Sequence, residues 1–218
     1  MVTDRDHGAD TPGRSGVGGH NARWSAQHHG IDPSGVPLLR TWLRFLHGLA
    51  TPLVRLRVPP DVLTAAGVVI SVAVPLLAVH GWYVAAAAAV IISAVLDGLD
   101  GAVAVRRGRV SVHGRALDSW ADRVSELAWW VALVAAAGVW LWQAVVFGLL
   151  GLGMETWRAV SGRYGVITVW ERPSRAVLAV VGLGAAAAGS INFTGAATGW
   201  VGLVLAAVGT VQLALHAR

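Results

Sequence analysis

Four aspartates stand at the ends of two long apolar stretches: Asp97 and Asp100 (followed by Gly101) close one, and Asp118 and Asp122, shortly after Gly114, open the next. Spacings of three and four residues put each pair on one face of a helix. Two such faces turned towards each other gather four negative charges into one pocket, and that pocket must hold cations. A set of ligands made only of oxygens suits hard ions such as Mg²⁺ or Mn²⁺. Two such ions about 3.5–4 Å apart clamp a phosphate for in-line displacement.

The elements that must position these carboxylates are read from composition. The chain is 55% hydrophobic with 11 Trp in 218 residues, and its mean hydropathy is +0.60. That is the profile of a membrane protein rather than of a soluble domain. There is no cysteine, which excludes disulfides, thiolate nucleophiles and Cys-based metal sites. All 17 basic residues are Arg. The pI of about 11.2 would suit nucleic acid, but the Arg residues are confined to particular loops, so membrane topology is the simpler account and no nucleic-acid partner is expected.

Apolar runs near 61–80, 82–104, 116–138, 140–159, 174–190 and 197–216 approach the length of about 20 residues that a span needs. The expected fold is therefore all-α and polytopic, with six transmembrane helices over residues 58–218. The turns around Gly81, Gly138 and Ser190-to-Gly195 carry no Arg, whereas Arg55, Arg57, Arg106, Arg107, Arg109, Arg115, Arg158, Arg163, Arg172, Arg175 and Arg218 fall on the other side. The positive-inside rule makes that side cytoplasmic, with both termini and the aspartates there. Residues 1–33 read as a disordered cytoplasmic tail whose His20, His28 and His29 need no ligand. Residues 34–57 read as an interfacial amphipathic helix with Arg40, Arg44 and His47 on one stripe and Leu39, Leu43, Leu46 and Leu49 on another. After Pro59-Pro60, Asp61 is a natural N-cap for the first span. Trp129, Trp130, Trp140, Trp142 and Trp200 fit an interfacial aromatic belt, and the runs 85–89 and 182–189 fit close helix packing. Gly98 and Gly101 flank Asp100, where they permit close approach of a phosphate.

The aspartate string resembles the signature of the CDP-alcohol phosphotransferase family, D-x2-D-G-x2-A-R-x8-G-x3-D-x3-D. Asp97, Asp100, Gly101, Ala104, Gly114, Asp118 and Asp122 fall on it without a gap, and the resemblance covers roughly residues 34–218. One position departs: the family's Arg after Ala104 is Val105, followed by Arg106 and Arg107. The resemblance implies a metal-dependent phosphatidyltransferase of phospholipid synthesis in a bacterial-type cell membrane, with a CDP-linked lipid donor such as CDP-diacylglycerol, a small polar alcohol as acceptor, CMP as product and two ions of Mg²⁺ or Mn²⁺. Asp97, Asp100 and Asp118 would hold one ion. Asp97, Asp118 and Asp122 would approach the second, with Asp122 as general base.

On the donor side the resemblance points to Asp61, Val62, Leu63 and Thr64, equally readable as a simple helix cap, and to Gly101, Ser111 and Gly114. Arg106 replaces the missing Arg if the helix ends or unwinds near Ala104. On the acceptor side Glu171-Arg172-Pro173-Ser174-Arg175 resembles the run of phosphatidylinositol-phosphate synthases, so Arg158, Arg163, Arg172 and Arg175 are candidates to receive the acceptor's phosphate. Positive-inside anchoring accounts for some of the same residues. The Lys-x-Arg pair of those enzymes is absent, and Glu155-Thr-Trp-Arg158 stands in its place. Glu155 is expected to pair with Arg158 at i+3. Inositol phosphate and glycerol phosphate are the candidate acceptors, and a homodimer is expected. Two other readings stand beside this one: a catalytically weakened, non-enzymatic relative, and an ion-coupled transporter, which should carry its charges near mid-membrane rather than at one edge.

Overall fold

The computed structural model describes residues 37–108, 112–162, 166–189 and 191–216. Seven helices and no strands are found among them: α1 Pro37–Arg55, α2 Pro60–Val79, α3 Tyr83–Arg106, α4 Val112–Ala136, α5 Leu141–Ser161, α6 Arg172–Ala187 and α7 Ile191–His216. The tail 1–33, Ser111, Arg163 and Arg218 lie outside the described residues.

Each apolar run of the sequence falls on one helix from α2 to α7. Three are long and apolar enough to cross a bilayer, over Pro60–Val79, Tyr83–Arg106 and Phe193–His216. The others differ for physical reasons. α4 and α5 carry carboxylates and guanidinia among their apolar residues, and α6, with 16 residues, is the shortest of the helices.

α2 begins one residue earlier than expected. Pro59 is its N-cap in extended backbone, and Pro60 takes the first helical position, where a missing N–H costs nothing and φ is already helical. Asp61 therefore lies in the first turn and caps nothing with its side chain.

α2 packs against both α3 and α4; α3 also touches α1 and α6, and α7 lies against α5 and α6. The main core draws buried residues from every helix from α2 to α7, and from Trp170 before α6. Trp130 meets Phe147 edge-on at 4.8 Å between ring centroids and stacks on Trp170 at 6.3 Å, while the Trp170 indole N–H donates to the Phe147 carbonyl at 3.2 Å. Trp129 and Trp130 are thus core residues, 0% and 8% exposed, and not part of an aromatic belt. They lie some two turns inside α4, on its packed side. Trp140, Trp142 and Trp200 are half exposed and touch one another, as belt residues would.

Small residues bring the helices together, in part at positions other than those expected. Gly182 admits Leu133 and Thr198, but Gly184 and Gly189 face open space; Gly199 admits Gln143, and Gly202 admits Phe147 and Leu178. Gly138 turns the chain from α4 to α5 at φ +80°, and a Cβ there would stand 2.5 Å from the Ile191 carbonyl oxygen. No other residue fits both demands.

α1 lies across the ends of α2 and α3 that carry the site. Leu46 and Ala50 are buried against Leu63, Leu99 and Val103. Leu49, expected on the same stripe, is 39% exposed, because the buried line runs i, i+4 from Leu46 to Ala50.

Candidate active site

The last turns of α3 carry Asp97 and Asp100, and the first turns of α4 carry Asp118 and Asp122. α2, wedged between the two helices, faces both. One oxygen from each of Asp97, Asp100 and Asp118 lies within 4.8 Å of the others. Carboxylates this close repel unless positive charge lies among them. The geometry thus brings together three oxygens that fit a single hard divalent ion.

Asp122 meets the group through Arg172, the first residue of α6. The Arg172 guanidinium contacts the Asp97 carboxylate and stands 2.6 Å from Asp122 Oδ1. The Trp129 ring lies against the same guanidinium, 5.8 Å from its carbon to the ring centroid. Arg172, expected as an acceptor contact, therefore supplies the positive charge between two of the signature aspartates.

On α2 the four expected donor contacts differ in kind. Asp61 and Val62 are exposed, Leu63 is buried in the small core beneath α1, and the Thr64 hydroxyl donates to the Asp100 carboxylate, with the Pro60 carbonyl 3.3 Å away. Thr64 orients a signature carboxylate. Beside Asp100, a Cβ at Gly101 would meet nothing within 4 Å, so that flank is open. Gly98 serves another purpose than the one expected: a Cβ there would stand 2.8 Å from Leu46 Cδ1, so its bareness admits α1 and not a phosphate. Gly114 lies half-buried in the first turn of α4.

Arg106 does not turn into the pocket. α3 neither ends nor unwinds at Ala104 but continues to Arg106, and the chain reverses at Arg107-Gly108 with φ +61° at the glycine. The guanidinium instead reaches back to α1. Nη1 donates to Thr51 Oγ1 at 2.9 Å and to the His47 carbonyl at 3.3 Å, and Nη2 lies 2.9 Å from His47 Nε2. Burial first, then the charge of Arg106, hold the His47 imidazole below its usual pKa, so it stays a neutral acceptor.

The second basic group is sorted by its carboxylates. Arg158 is bound at both oxygens of Glu171, 2.6 and 3.1 Å away, and at the Val166 carbonyl, 2.9 Å away. Thr168 donates to Glu171 from its backbone N–H and its hydroxyl, both at 2.8 Å. Burial raises the Glu171 pKa, but the bonds from Arg158 and Thr168 outweigh it and hold the carboxyl below its usual range. Arg158 thus fastens the segment before α6, and the expected Glu155–Arg158 pair is not formed. Glu155 turns instead to Arg175, 2.6 Å away, and to Arg123, 3.7 Å away. Arg175 also reaches Glu126 at 3.0 Å. Sequence reasoning passed over Glu126, although it continues the four-residue step from Asp118 through Asp122, and it saw in Arg123 only an ion partner for the aspartates.

A family model described as CDP-alcohol phosphatidyltransferase matches residues 57–211. The phosphatidylinositol phosphate synthase of Mycobacterium marinum is 33% identical over 155 residues, which are 65% of this chain and 64% of that protein. That of Mycobacterium tuberculosis is 33% identical over 150 residues, 62% of this chain and 67% of the relative. The chain thus spans about two thirds of the length of these relatives. The crystal structure of the M. tuberculosis protein with CDP-DAG bound superposes with a TM-score of 0.65 at 26% identity, over 79% of this chain and 92% of that one. The same protein in complex with manganese and citrate gives a TM-score of 0.65 at 27% identity, over 78% and 87%.

Proposed function

The chain belongs to the CDP-alcohol phosphatidyltransferase family, and from that premise we propose that it transfers a phosphatidyl group from CDP-diacylglycerol to a hydroxyl of a small polar alcohol, with release of CMP. The observation that carries this reading is the convergence of Asp97, Asp100 and Asp118 on one point. The names of the relatives support inositol phosphate as acceptor, and glycerol phosphate is the alternative.

Bound Mg²⁺ or Mn²⁺, held by these three carboxylates and a second ion's set completed by Asp122, would neutralise charge on the diphosphate. The side chains do the rest. Arg172 holds the Asp97 and Asp122 carboxylates in one orientation. A carboxylate oxygen of Asp122 accepts the proton of the acceptor hydroxyl, whose oxygen attacks the phosphorus bearing the diacylglycerol as CMP departs. The work is positioning and charge stabilisation.

In the membrane, α2 to α7 form six spans, α1 lies in the interface, and the aspartates and both termini face the cytoplasm. The donor's acyl chains then stay in hydrocarbon while its nucleotide reaches water. A homodimer completes this reading, in a bacterial-type plasma membrane.

CMP release from the purified protein, given CDP-diacylglycerol, Mn²⁺ and a panel of polyols and polyol phosphates, tests the assignment. Asp97→Asn and Asp118→Asn are each expected to raise the Mn²⁺ concentration for half-maximal rate about tenfold or more, since each removes a charged ligand. An unchanged metal requirement would remove the carboxylate cluster from the site.

Val105 favours a second reading, a catalytically weakened relative. Val105→Arg is expected to raise CMP release severalfold by adding a charge-assisted contact to the donor, worth roughly 1.5–3 kcal/mol. Arg106→Ala should leave CMP release near the parent level and loosen α1, seen as faster hydrogen exchange around Thr51. A severe loss of turnover in Arg106→Ala would return Arg106 to the donor site.

A further inference from the structure

Residues 166–171, between α5 and α6, form no helix, so their backbone groups need partners from elsewhere. Side chains supply them from two sides. From α5, Arg158 bonds the Val166 carbonyl at 2.9 Å, the Thr168 hydroxyl at 3.3 Å and both Glu171 oxygens. From α7, Gln212 accepts the Val169 N–H on its side-chain oxygen at 2.9 Å. Between these two anchors Trp170 is buried, its indole N–H on the Phe147 carbonyl.

α7 is shaped to make its bond. Gly209, three residues before Gln212 and so on the same face, also meets this segment: a Cβ there would stand 2.7 Å from Trp170 Cβ and 3.2 Å from the Trp170 backbone nitrogen. Gly209 lets the segment approach, and Gln212 bonds it. Gln212 lies just beyond the stretch 57–211 that the family model matches.

What the segment carries is Arg172. Glu171 is the N-cap of α6 in extended backbone, yet its side chain caps nothing. Its carboxylate turns back to the Thr168 N–H and hydroxyl and to Arg158. The first residue of α6 therefore takes its place from residues 166–171 and not from a local side-chain cap. The closest approach of the Arg172 guanidinium to Asp97 and to Asp122 is through the same nitrogen, Nη1, and its Nε is buried without a hydrogen-bond partner. One nitrogen must thus stand between carboxylates of two different helices, and a shift at the start of α6 lengthens at least one of the two contacts.

Resting on the transferase reading for what the site does, we propose that Gln212 is a positioning residue of the reaction: from the end of α7 it fixes residues 166–171 and, through them, the place of Arg172 between Asp97 and Asp122.

The test pairs Gln212→Leu, which keeps the size of the side chain and loses the accepting oxygen, with Gln212→Glu, which keeps that oxygen, in the full chain. Gln212→Leu is expected to lower kcat for CMP release about tenfold, since misplacing a positioning group by about 1 Å costs up to about 10²-fold. KM for CDP-diacylglycerol should not change, and Gln212→Glu should stay near the parent protein in both. The second readout needs no substrate. Loosening Arg172 from the carboxylates leaves them more dependent on an added cation, so Gln212→Leu should enlarge the rise in unfolding temperature on adding Mn²⁺. In an Arg172→Gln background the same change should enlarge it no further, because two changes along one line of contacts do not add. If Gln212→Leu does not fold, Gly209→Ala, whose Cβ would push Trp170 off α7, must give the same pattern. A Mn²⁺ response equal to the parent's in a folded variant, or one that still grows in the Arg172→Gln background, overturns the linkage. A kcat equal to the parent's overturns its part in the reaction. No CMP release from the parent protein with any acceptor overturns the transferase reading alone, because the Mn²⁺ response still reports on Gln212.

Discussion

Asp122→Asn is expected to lower CMP release by about 10²–10⁴-fold, the usual contribution of a positioned general base, while donor binding and thermal unfolding change little. The amide keeps the shape of the carboxylate but cannot take the acceptor's proton. The fold should tolerate the change because Arg172 retains Asp97 as its ion partner. Asp122 also lies outside the three-carboxylate convergence of Asp97, Asp100 and Asp118, so its loss leaves that group intact. CMP release within tenfold of the parent rate would take the role of base away from Asp122.

Arg172→Gln is expected to have the largest effect on stability, and its sign with metal is the informative part. The guanidinium stands between Asp97 and Asp122 with its side chain 18% exposed. Removing one partner of a mostly buried ion pair costs about 3–5 kcal/mol, so in EDTA the variant should unfold at a clearly lower temperature than the parent. Added Mn²⁺ supplies the missing positive charge. The rise in unfolding temperature on adding Mn²⁺ should therefore be greater for Arg172→Gln than for the parent protein, because ligand binding to the folded state stabilises it by mass action. Equal rises in the two proteins would mean that guanidinium and ion do not share these carboxylates.

The helices were legible because long apolar runs are bounded by clear punctuation: Pro59-Pro60 before α2, Gly138 after α4 and Arg172-Pro173 at the start of α6. The aspartates were legible for a similar reason, since spacings of three and four residues project onto one helix face whatever the tertiary structure. Pairing was not legible. Arg175 reaches Glu155 on α5 and Glu126 on α4, and the local rule that joins residues three apart on one helix predicted the wrong partner for Glu155. Arg106 shows the same limit, because its partners on α1 lie 55 and 59 residues away. Tryptophan was ambiguous in another way. An indole suits a membrane interface and a packed core equally well, and only the meeting of Trp130 with Phe147 and Trp170 distinguishes them.

Leu46 of α1 lies over Gly98, the residue after Asp97, with no room for even a methyl group between them. A push on α1 is delivered to the α3 backbone between Asp97 and Asp100, and Arg106 closes a second strut between the same two helices. In the topology proposed above, α1 lies in the plane of the headgroups, and lateral pressure at the bilayer surface is then mechanically in series with the carboxylates. The curvature and packing of the surrounding lipid become part of the load under which this site is assembled.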